Sequence, residues 1–197
     1  MADEETIRIY DAKADDYVKR FVRKEPSNSL KRFMALLPPG ARVLDWGCGP
    51  ATSSHHLKEA GFVPDPVDAS PEMVALACEN FGLQVRLGTF DDPLPGRTYH
   101  GVWANFSLLH ASRDDLPKHL QQLHTALLPE GVLHLGMKRG TGENRDRFGR
   151  FYTYYETDEL TDLLEKVGFG IVQRHEGEEA GLAGTVDPFV VILSKKV

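Results

Sequence analysis

The sequence predicts a doubly wound α/β domain with a largely parallel sheet, and three observations support this fold class. Short apolar runs typical of buried strands alternate with stretches whose apolar residues recur at helical spacing, the order expected of βαβ units. A glycine-rich turn follows the first strand. After the last helical stretch, two strand-like runs follow with no helix between them, which predicts an antiparallel hairpin closing the sheet.

Seven short apolar runs suit buried strands. They cover residues 42–45, 63–67, 84–87, 99–104, 132–136, 171–174 and 189–193. The second run contains Pro64 and Pro66, which disfavour a central strand. The last two runs are separated only by a glycine-rich, acidic stretch at residues 176–187, and they form the predicted hairpin.

Apolar residues at helical spacing predict amphipathic helices around these strands. Four groups show the pattern: Tyr10, Ala14, Tyr17, Val18 and Phe21; Leu30, Phe33, Met34 and Leu37; Leu116, Leu120, Leu123 and Leu127; and Leu160, Leu163, Leu164 and Val167. Two further helices are expected, one beginning near Ala51 or Thr52 and one over residues 73–77. No repeat, low-complexity segment or linker divides the chain, which indicates one domain over residues 1–197.

Composition and charge narrow the classes of function. The 197 residues are 41% hydrophobic and 26% charged, as in a globular domain. The net charge of −6 argues against nucleic acid as a partner, since nucleic-acid binding needs clustered Lys and Arg. A charged N-terminus and the lack of an apolar run of about 20 residues argue against export and membrane insertion. Cys48 and Cys78 form no CxxC or metal-ligand pattern, so we expect reduced thiols, a cytoplasmic location and no metal.

The most informative segment is RVLDWGCGPA at residues 42–51, where the first strand runs into Gly47 and Gly49. Glycines permit positive φ and close approach of a ligand, and the following helix offers unpaired N–H groups to a carboxylate. The alternative is a glycine-rich turn without a ligand. Asp68, after the second strand, could accept hydrogen bonds from ribose hydroxyls or could cap the next helix.

The third and fourth strands bring further candidates to the same edge of the sheet. Phe90 and Asp91 offer an apolar face and a hydrogen-bond acceptor to an adenine ring, although a solvated turn explains them equally well. Asn105, Phe106 and His110 follow the fourth strand. Because ligands of open α/β sheets bind at the carboxyl ends of the strands, these residues and the glycine turn predict one ligand site.

In this order, the segments resemble the class I S-adenosylmethionine-dependent methyltransferases, and the resemblance extends across nearly the whole chain. LDWGCGPA is similar to the family's glycine-rich first motif. The resemblance implies a Rossmann-like, seven-stranded sheet with six parallel strands, one antiparallel C-terminal strand and helices on both faces. It also implies S-adenosylmethionine as cofactor and methyl transfer as the activity. Many members have a third glycine where this chain has Ala51, for which we expect tighter packing without lost binding.

The resemblance also assigns cofactor-binding residues. The methionyl group is expected near Asp45, Gly47, Gly49 and Asn105, the ribose at Asp68, and the adenine at Phe90 and Asp91; Cys48, Ala69, Met73 and Phe106 complete the predicted site. IYDAKADDYVKRF resembles a helix that closes over the cofactor in many small-molecule members, so residues 1–38 are expected to form a helical lid.

Within this lid, Tyr10 and Tyr17 lie two helical turns apart and share one face of a continuous helix. A sulfonium beside these rings would gain cation–π attraction on the order of 0.5–2 kcal/mol, with Tyr17 as the preferred contact. The buried stripe of an ordinary amphipathic helix explains the same residues.

Methyl transfer requires an aligned acceptor and exclusion of water, with no fixed catalytic motif. His110, with an ordinary pKa of about 6.5, is the best candidate base, and Tyr10 is a second catalytic candidate; an ordinary loop histidine is the alternative. Arg147, Arg150 and Tyr154 could hold a small anionic or aromatic acceptor, unless their loop is solvated surface. These residues predict transfer to a small molecule. As a separate expectation, the protein is a monomer or a homodimer.

Two other functions compete. A nicotinamide-dependent oxidoreductase also places an acid after a glycine turn, but its GxGxxG pattern would need glycine at Thr52. A non-catalytic module that binds S-adenosylmethionine is the other alternative, because no side chain is indispensable to methyl transfer.

Overall fold

The computed structural model describes residues 3–197, which form alternating strands and helices as the sequence predicts. The helices are α1 (Glu4–Ala12), α2 (Ala14–Phe21), α3 (Asn28–Met34), α4 (Thr52–Glu59), α5 (Pro71–Phe81), α6 (Leu116–Ala126) and α7 (Thr157–Val167), with a 3-10 turn at Leu108–His110. The strands are β1 (Arg42–Trp46), β2 (Val63–Asp68), β3 (Arg86–Leu87), β4 (Tyr99–Asn105), β5 (Leu127–Lys138), β6 (Glu143–Arg145), β7 (Phe151–Thr153), β8 (Phe169–Ala180) and β9 (Val186–Lys196).

Seven strands form one sheet in the order β3-β2-β1-β4-β5-β9-β8. The neighbours from β3 to β5 pair in parallel, whereas β9 is antiparallel to both β5 and β8. Six strands therefore run in one direction and the C-terminal β9 runs against them. The predicted fold class, including the terminal hairpin, is confirmed.

Helices cover both faces because alternate residues of the buried strands point to opposite sides. Val43 packs with Phe33 and Leu57 on one face. Leu44, the next residue, packs in a second cluster with Leu120 and Leu164 on the other face. This double burial explains why β1 and β4 appear in the sequence as continuous apolar runs.

The two prolines of β2 are tolerated because of where β3 lies. Val63 N–H donates to the Ala41 carbonyl on the β1 side, 3.0 Å away, so the alternate positions Pro64 and Pro66 turn their missing N–H groups to the other side. There β3 pairs only with Val67 and Asp68. The stretch of β2 that contains the prolines is therefore an edge, and no ladder hydrogen bond is lost.

Two local predictions are corrected. The single helix expected over Tyr10 to Phe21 is broken at Lys13, whose backbone is not helical. A new helix, α2, begins at Ala14, and Asp15 and Asp16 lie in its first turn, where acidic side chains are favourable. The loop after β5 contains the unpredicted antiparallel hairpin β6–β7. In residues 3–197, no helix has both the length and the apolar content needed to cross a membrane.

Candidate active site

The glycine turn after β1 is tied to the end of β2 by backbone hydrogen bonds. The N–H groups of Gly47 and Cys48 both donate to the Val67 carbonyl, at 2.8 and 3.0 Å. The Gly49 N–H donates to Asp68 Oδ2 at 2.7 Å. The turn and the acid that the sequence analysis paired are therefore in direct contact at the carboxyl edge of the sheet.

Glycine is required at Gly47 for two reasons. Its φ is +76°, and a Cβ there would lie 2.4 Å from Cβ of Ser107. Ala51, where many family members have glycine, also has a positive φ of 58° and is fully buried beside Ala77 and Leu83. The tight packing expected of Ala51 is therefore present, at the cost of a left-handed backbone.

Asp68 is held by backbone donors on both of its oxygens. Besides Gly49, the Ser70 N–H donates to Oδ1 at 2.9 Å. Burial raises the pKa of Asp68. Since each carboxylate oxygen has a second lone pair, Asp68 can still accept hydrogen bonds from a ribose.

A cavity of about 110 Å³ lies over this turn, beneath α1. Predicted site residues that line it are Tyr10, Tyr17, Gly47, Gly49, Asp68, Ala69, Met73, Phe90, Asn105, Phe106 and His110. The ring of Phe90 packs edge-on against Trp46 with centroids 4.9 Å apart. We call this space the smaller cavity.

The larger cavity, of about 350 Å³, adjoins the smaller one, because Tyr10, Tyr17, Gly47, Asn105 and Phe106 line both. The larger cavity is also lined by the predicted residues Asp45, Cys48 and Arg150. Sequence reasoning missed its other polar wall residues, chief among them Lys138 at the end of β5 and Asp187 at the start of β9, whose side chains are 2.6 Å apart. The rule that ligands bind at the carboxyl ends of strands could have identified Lys138.

Three predicted residues line neither cavity. Asp91 lies in an exposed turn in which its neighbour Asp92 accepts the Thr89 N–H. Arg147 is exposed beside the ring of Phe148, and Tyr154 packs near Gly140 and Tyr152. The β6–β7 hairpin causes this separation, because it turns Arg150 and Tyr152 toward the larger cavity and leaves Arg147 and Tyr154 outside it.

Tyr10 is at the centre of a hydrogen-bonded network. His110 Nδ1 is 2.6 Å from the Phe151 carbonyl and must donate to it, which leaves Nε2 of the neutral ring as an acceptor. The Tyr10 hydroxyl therefore donates to Nε2, 2.9 Å away, and accepts from Arg150 Nη1 at 3.0 Å. Arg150, which is 2% exposed, is paired with Asp146 through Nε and Nη2.

The pKa of His110 differs from the expected value of about 6.5. Burial, with the nearby charges of Arg150 and Lys138, lowers the pKa of His110 to about 4. Both ring nitrogens are also engaged in hydrogen bonds. The prediction of a near-neutral pKa is wrong, because sequence position did not reveal this burial, and His110 is a weak base.

Asp45 is an unusual carboxyl group because it is only 2% exposed. Burial raises the pKa of Asp45 to about 7, although the Ser54 hydroxyl donates to Oδ2 at 2.7 Å and opposes this shift. A cationic group in the larger cavity would favour the ionised form of Asp45.

Known proteins resemble this chain in sequence and fold. A family model described as a methyltransferase domain matches residues 18–174. Malonyl-[acyl-carrier protein] O-methyltransferase of Enterobacter lignolyticus is 33% identical over 109 residues, which cover 53% of this chain and 43% of that protein. The match thus spans less than half the length of the curated relatives.

Two of the solved structures that share this fold are methyltransferases from bacteria. The 1,6-didemethyltoxoflavin-N1-methyltransferase of Burkholderia thailandensis was solved with bound 1,6-didemethyltoxoflavin and S-adenosylhomocysteine. It matches with a TM-score of 0.72 at 21% identity, and the match covers 100% of this chain and 91% of that one. A TehB-like S-adenosylmethionine-dependent methyltransferase of Corynebacterium glutamicum has a TM-score of 0.71 at 19% identity, covering 94% and 99%. These likenesses show the fold, and the family match covers more than half of the chain. The chain therefore belongs to the S-adenosylmethionine-dependent methyltransferase domain family.

Proposed function

We propose that this protein transfers the methyl group of S-adenosylmethionine to a small acceptor that carries a carboxylate. The observation behind the proposal is that the cavity between the glycine turn, Asp68 and Phe90 adjoins, through shared wall residues, a larger cavity lined by Arg150. The smaller space would hold the nucleoside and the larger one the acceptor. The methyl carbon would lie where the two meet.

The residues present fit this cofactor. A Cβ at Gly49 would lie 3.7 Å from the Tyr17 ring. The glycine therefore leaves space between the turn after β1 and Tyr17 of α2. Asp68 would accept hydrogen bonds from the ribose, and Phe90 would face the adenine. Asp45 would lie near the methionyl ammonium. When bound, S-adenosylmethionine supplies a methyl carbon already activated by its sulfonium.

The protein's own contribution is alignment and exclusion of water. Tyr10 and Tyr17 line both cavities, and their rings meet edge-on with centroids 5.9 Å apart. They would cover the junction where the acceptor oxygen meets the methyl carbon. Holding two reactants in attack geometry can be worth roughly 7–11 kcal/mol.

The chemistry of the larger cavity favours an acceptor that needs no deprotonation. His110 has both nitrogens engaged and a pKa lowered to about 4, so it is poorly suited to remove a proton from a phenol or an alcohol. A carboxylate is already ionised at neutral pH. Arg150 and Lys138 are already paired with Asp146 and Asp187, but both line the larger cavity and keep further N–H groups that could donate to a carboxylate. The name of the curated relatives, O-methyltransferases, supports oxygen as the acceptor atom.

We further propose that the expected lid, residues 1–38, caps a single domain, and contacts of α1 support this. Thr6 accepts the Phe151 N–H at 2.8 Å through its hydroxyl, and Asp11 accepts the Glu72 N–H at 3.3 Å, so α1 contacts both the β6–β7 hairpin and the start of α5. Both contacts border the smaller cavity, whose wall includes Thr6 and Ser70.

Calorimetry and a product assay test the proposed activity. S-adenosylhomocysteine is titrated first, and binding that Asp68→Asn weakens is expected. Formation of S-adenosylhomocysteine from S-adenosylmethionine is then followed with matched panels of carboxylic acids and phenols. Turnover of carboxylates is expected; turnover of phenols alone would refute the acceptor class, and no binding of either cofactor form would refute the function.

A further inference from the structure

The side chain of Asn105 is held by a histidine that lines neither of the two cavities. His134 in β5 is fully buried and stacks on Trp103 of β4, with ring centroids 3.6 Å apart and planes 18° apart. Its Nε2 is 2.9 Å from Asn105 Oδ1. Among the residues that the structure describes, Nδ1 of His134 has no hydrogen-bond partner.

These contacts decide the tautomer of His134. Burial lowers its pKa to about 3, so the ring is neutral and carries one proton. A proton on Nδ1 would leave an unpaired N–H in the interior, and such orphaned donors are rare. With the proton on Nε2, the only unpaired atom is an acceptor lone pair, and Nε2 donates to Asn105 Oδ1.

The orientation of the Asn105 amide follows. Its Oδ1 is turned to His134 and lies against β5, where a Cβ at Gly136 would come within 3.0 Å of it. The NH2 group is then the part of the amide left for the cavities that Asn105 lines. Because Asn105 lines both cavities, this orientation would place a hydrogen-bond donor where they adjoin.

We propose that His134 is a positioning residue that keeps the Asn105 amide oriented as a hydrogen-bond donor to the acceptor's carboxylate. This inference rests on the proposed function, because it uses the acceptor class named there. The amide would bind the carboxylate oxygen that does not attack the methyl carbon. Without the His134 N–H, the amide could turn its oxygen toward the carboxylate, and two acceptors would face each other.

The first test does not depend on catalysis. The ¹⁵N NMR shifts of the imidazole nitrogens distinguish protonated from unprotonated sites, and His134→Gln assigns the signals. We expect a protonated Nε2 and an unprotonated Nδ1 from pH 5 to pH 8. A ring protonated on Nδ1 would overturn the proposal, because Asn105 would then present its NH2 group to His134.

The second test separates positioning from packing. His134→Phe keeps a ring on Trp103 but loses the donor, and His134→Gln supplies an N–H near the position of Nε2. For His134→Phe we expect the acceptor KM to rise about five- to tenfold, which is the effect of losing one hydrogen bond. The Kd for S-adenosylhomocysteine should change by less than about twofold. His134→Gln should restore the KM.

Thermal melting of both variants shows whether each remains folded. The positioning role would be overturned if folded His134→Phe lost acceptor affinity and S-adenosylhomocysteine affinity equally. It would also be overturned if folded His134→Gln did not restore the acceptor KM. If the wild-type protein methylates no acceptor, the proposed function fails, and the imidazole tautomer still decides how the amide is oriented.

Discussion

Gly47 and Gly40 have the same left-handed backbone in different surroundings. Their φ values are +76° and +71°, but a Cβ at Gly47 would meet Ser107 at 2.4 Å, whereas a Cβ at Gly40 would have no atom within 4 Å. Alanine at either position incurs left-handed strain of roughly 1–2 kcal/mol. We expect Gly47→Ala alone to weaken S-adenosylhomocysteine binding at least about tenfold, because only there must the turn shift.

Calorimetric titration of both variants measures the difference, and chemical denaturation shows the shared loss of stability. Equal affinity in Gly47→Ala and Gly40→Ala would mean that the turn after β1 does not shape the cofactor site.

Asp45 gives cofactor affinity a pH dependence. In the protein without cofactor, burial raises the pKa of Asp45 to about 7. The ammonium of a bound methionyl group would favour the ionised form of Asp45. Below pH 7 binding must therefore release a proton from Asp45. We expect the affinity for S-adenosylhomocysteine to fall by up to about tenfold per pH unit between pH 7 and pH 5.

Calorimetric titration of S-adenosylhomocysteine in buffers of different ionisation enthalpy measures the number of protons released on binding and so checks this mechanism. Asp45→Asn should bind weakly with a flat pH profile over this range. Ser54→Ala removes the hydroxyl that stabilises the carboxylate, so its inflection should move to higher pH. A wild-type affinity that is constant from pH 5 to pH 8 would contradict the placement of Asp45 beside the ammonium.

At the scale of elements, the docking of α1 depends on a buried and an exposed contact. Thr6 is 4% exposed and accepts the Phe151 N–H, whereas Arg145 is exposed and pairs with Asp3 at 2.7 Å. Thr6→Val would leave the half-buried Phe151 N–H unpaired, and an unpaired buried donor costs about 1–3 kcal/mol. Exposed ion pairs contribute little, so the buried contact should dominate.

Hydrogen exchange of the α1 amides measures this docking. We expect exchange about tenfold faster in Thr6→Val, and less than about threefold faster in Arg145→Ala. The reverse ranking would show that the ion pairs of Arg145 with Asp3 and Glu5 hold the lid.

The sequence was sufficient to predict elements that depend on local patterns. Continuous apolar runs located the central strands, and the absence of a helical pattern after α7 predicted the β8–β9 hairpin. Properties that depend on burial were not predictable: the pKa of His110 follows from packing around residues distant in the chain. The β6–β7 hairpin was missed because its three-residue strands carry no alternating apolar pattern.

The proposed acceptor site is built from elements more distant in the sequence than those of the cofactor site. The glycine turn, Asp68 and Phe90 belong to consecutive βα units, so their spacing along the chain was enough to predict that they lie together. The larger cavity combines Phe21 of α2, Lys138 of β5 and Leu182 of the β8–β9 turn. Only the complete fold, with β9 inserted between β5 and β8, brings these residues together, which is why local motifs did not predict Lys138 or Asp187.

Buried titratable groups also link the stability of the whole molecule to pH. The pKa values of His110 and His134 are lowered to about 4 and about 3, so near pH 5 each is protonated only on unfolding. The pKa of Asp45 is raised to about 7, so near pH 5 it holds a proton only when folded. On unfolding near pH 5, the two histidines gain two protons and Asp45 loses one. The unfolded chain therefore binds about one more proton than the folded protein. The histidines therefore outweigh Asp45, and stability should fall as pH decreases from 6.5 to 4.5.

Urea denaturation at intervals of half a pH unit measures this dependence. One linked proton corresponds to a slope of about 1.4 kcal/mol per pH unit in the free energy of unfolding. His119 and His124, with pKa values also lowered by burial, add to the slope, and Asp68 opposes it. His134→Gln removes one histidine and should flatten the profile by about one proton, while Asp45→Asn removes the opposing acid and should steepen it. Stability that rises toward pH 4.5 in the wild-type protein would mean that the buried acids outweigh the buried histidines.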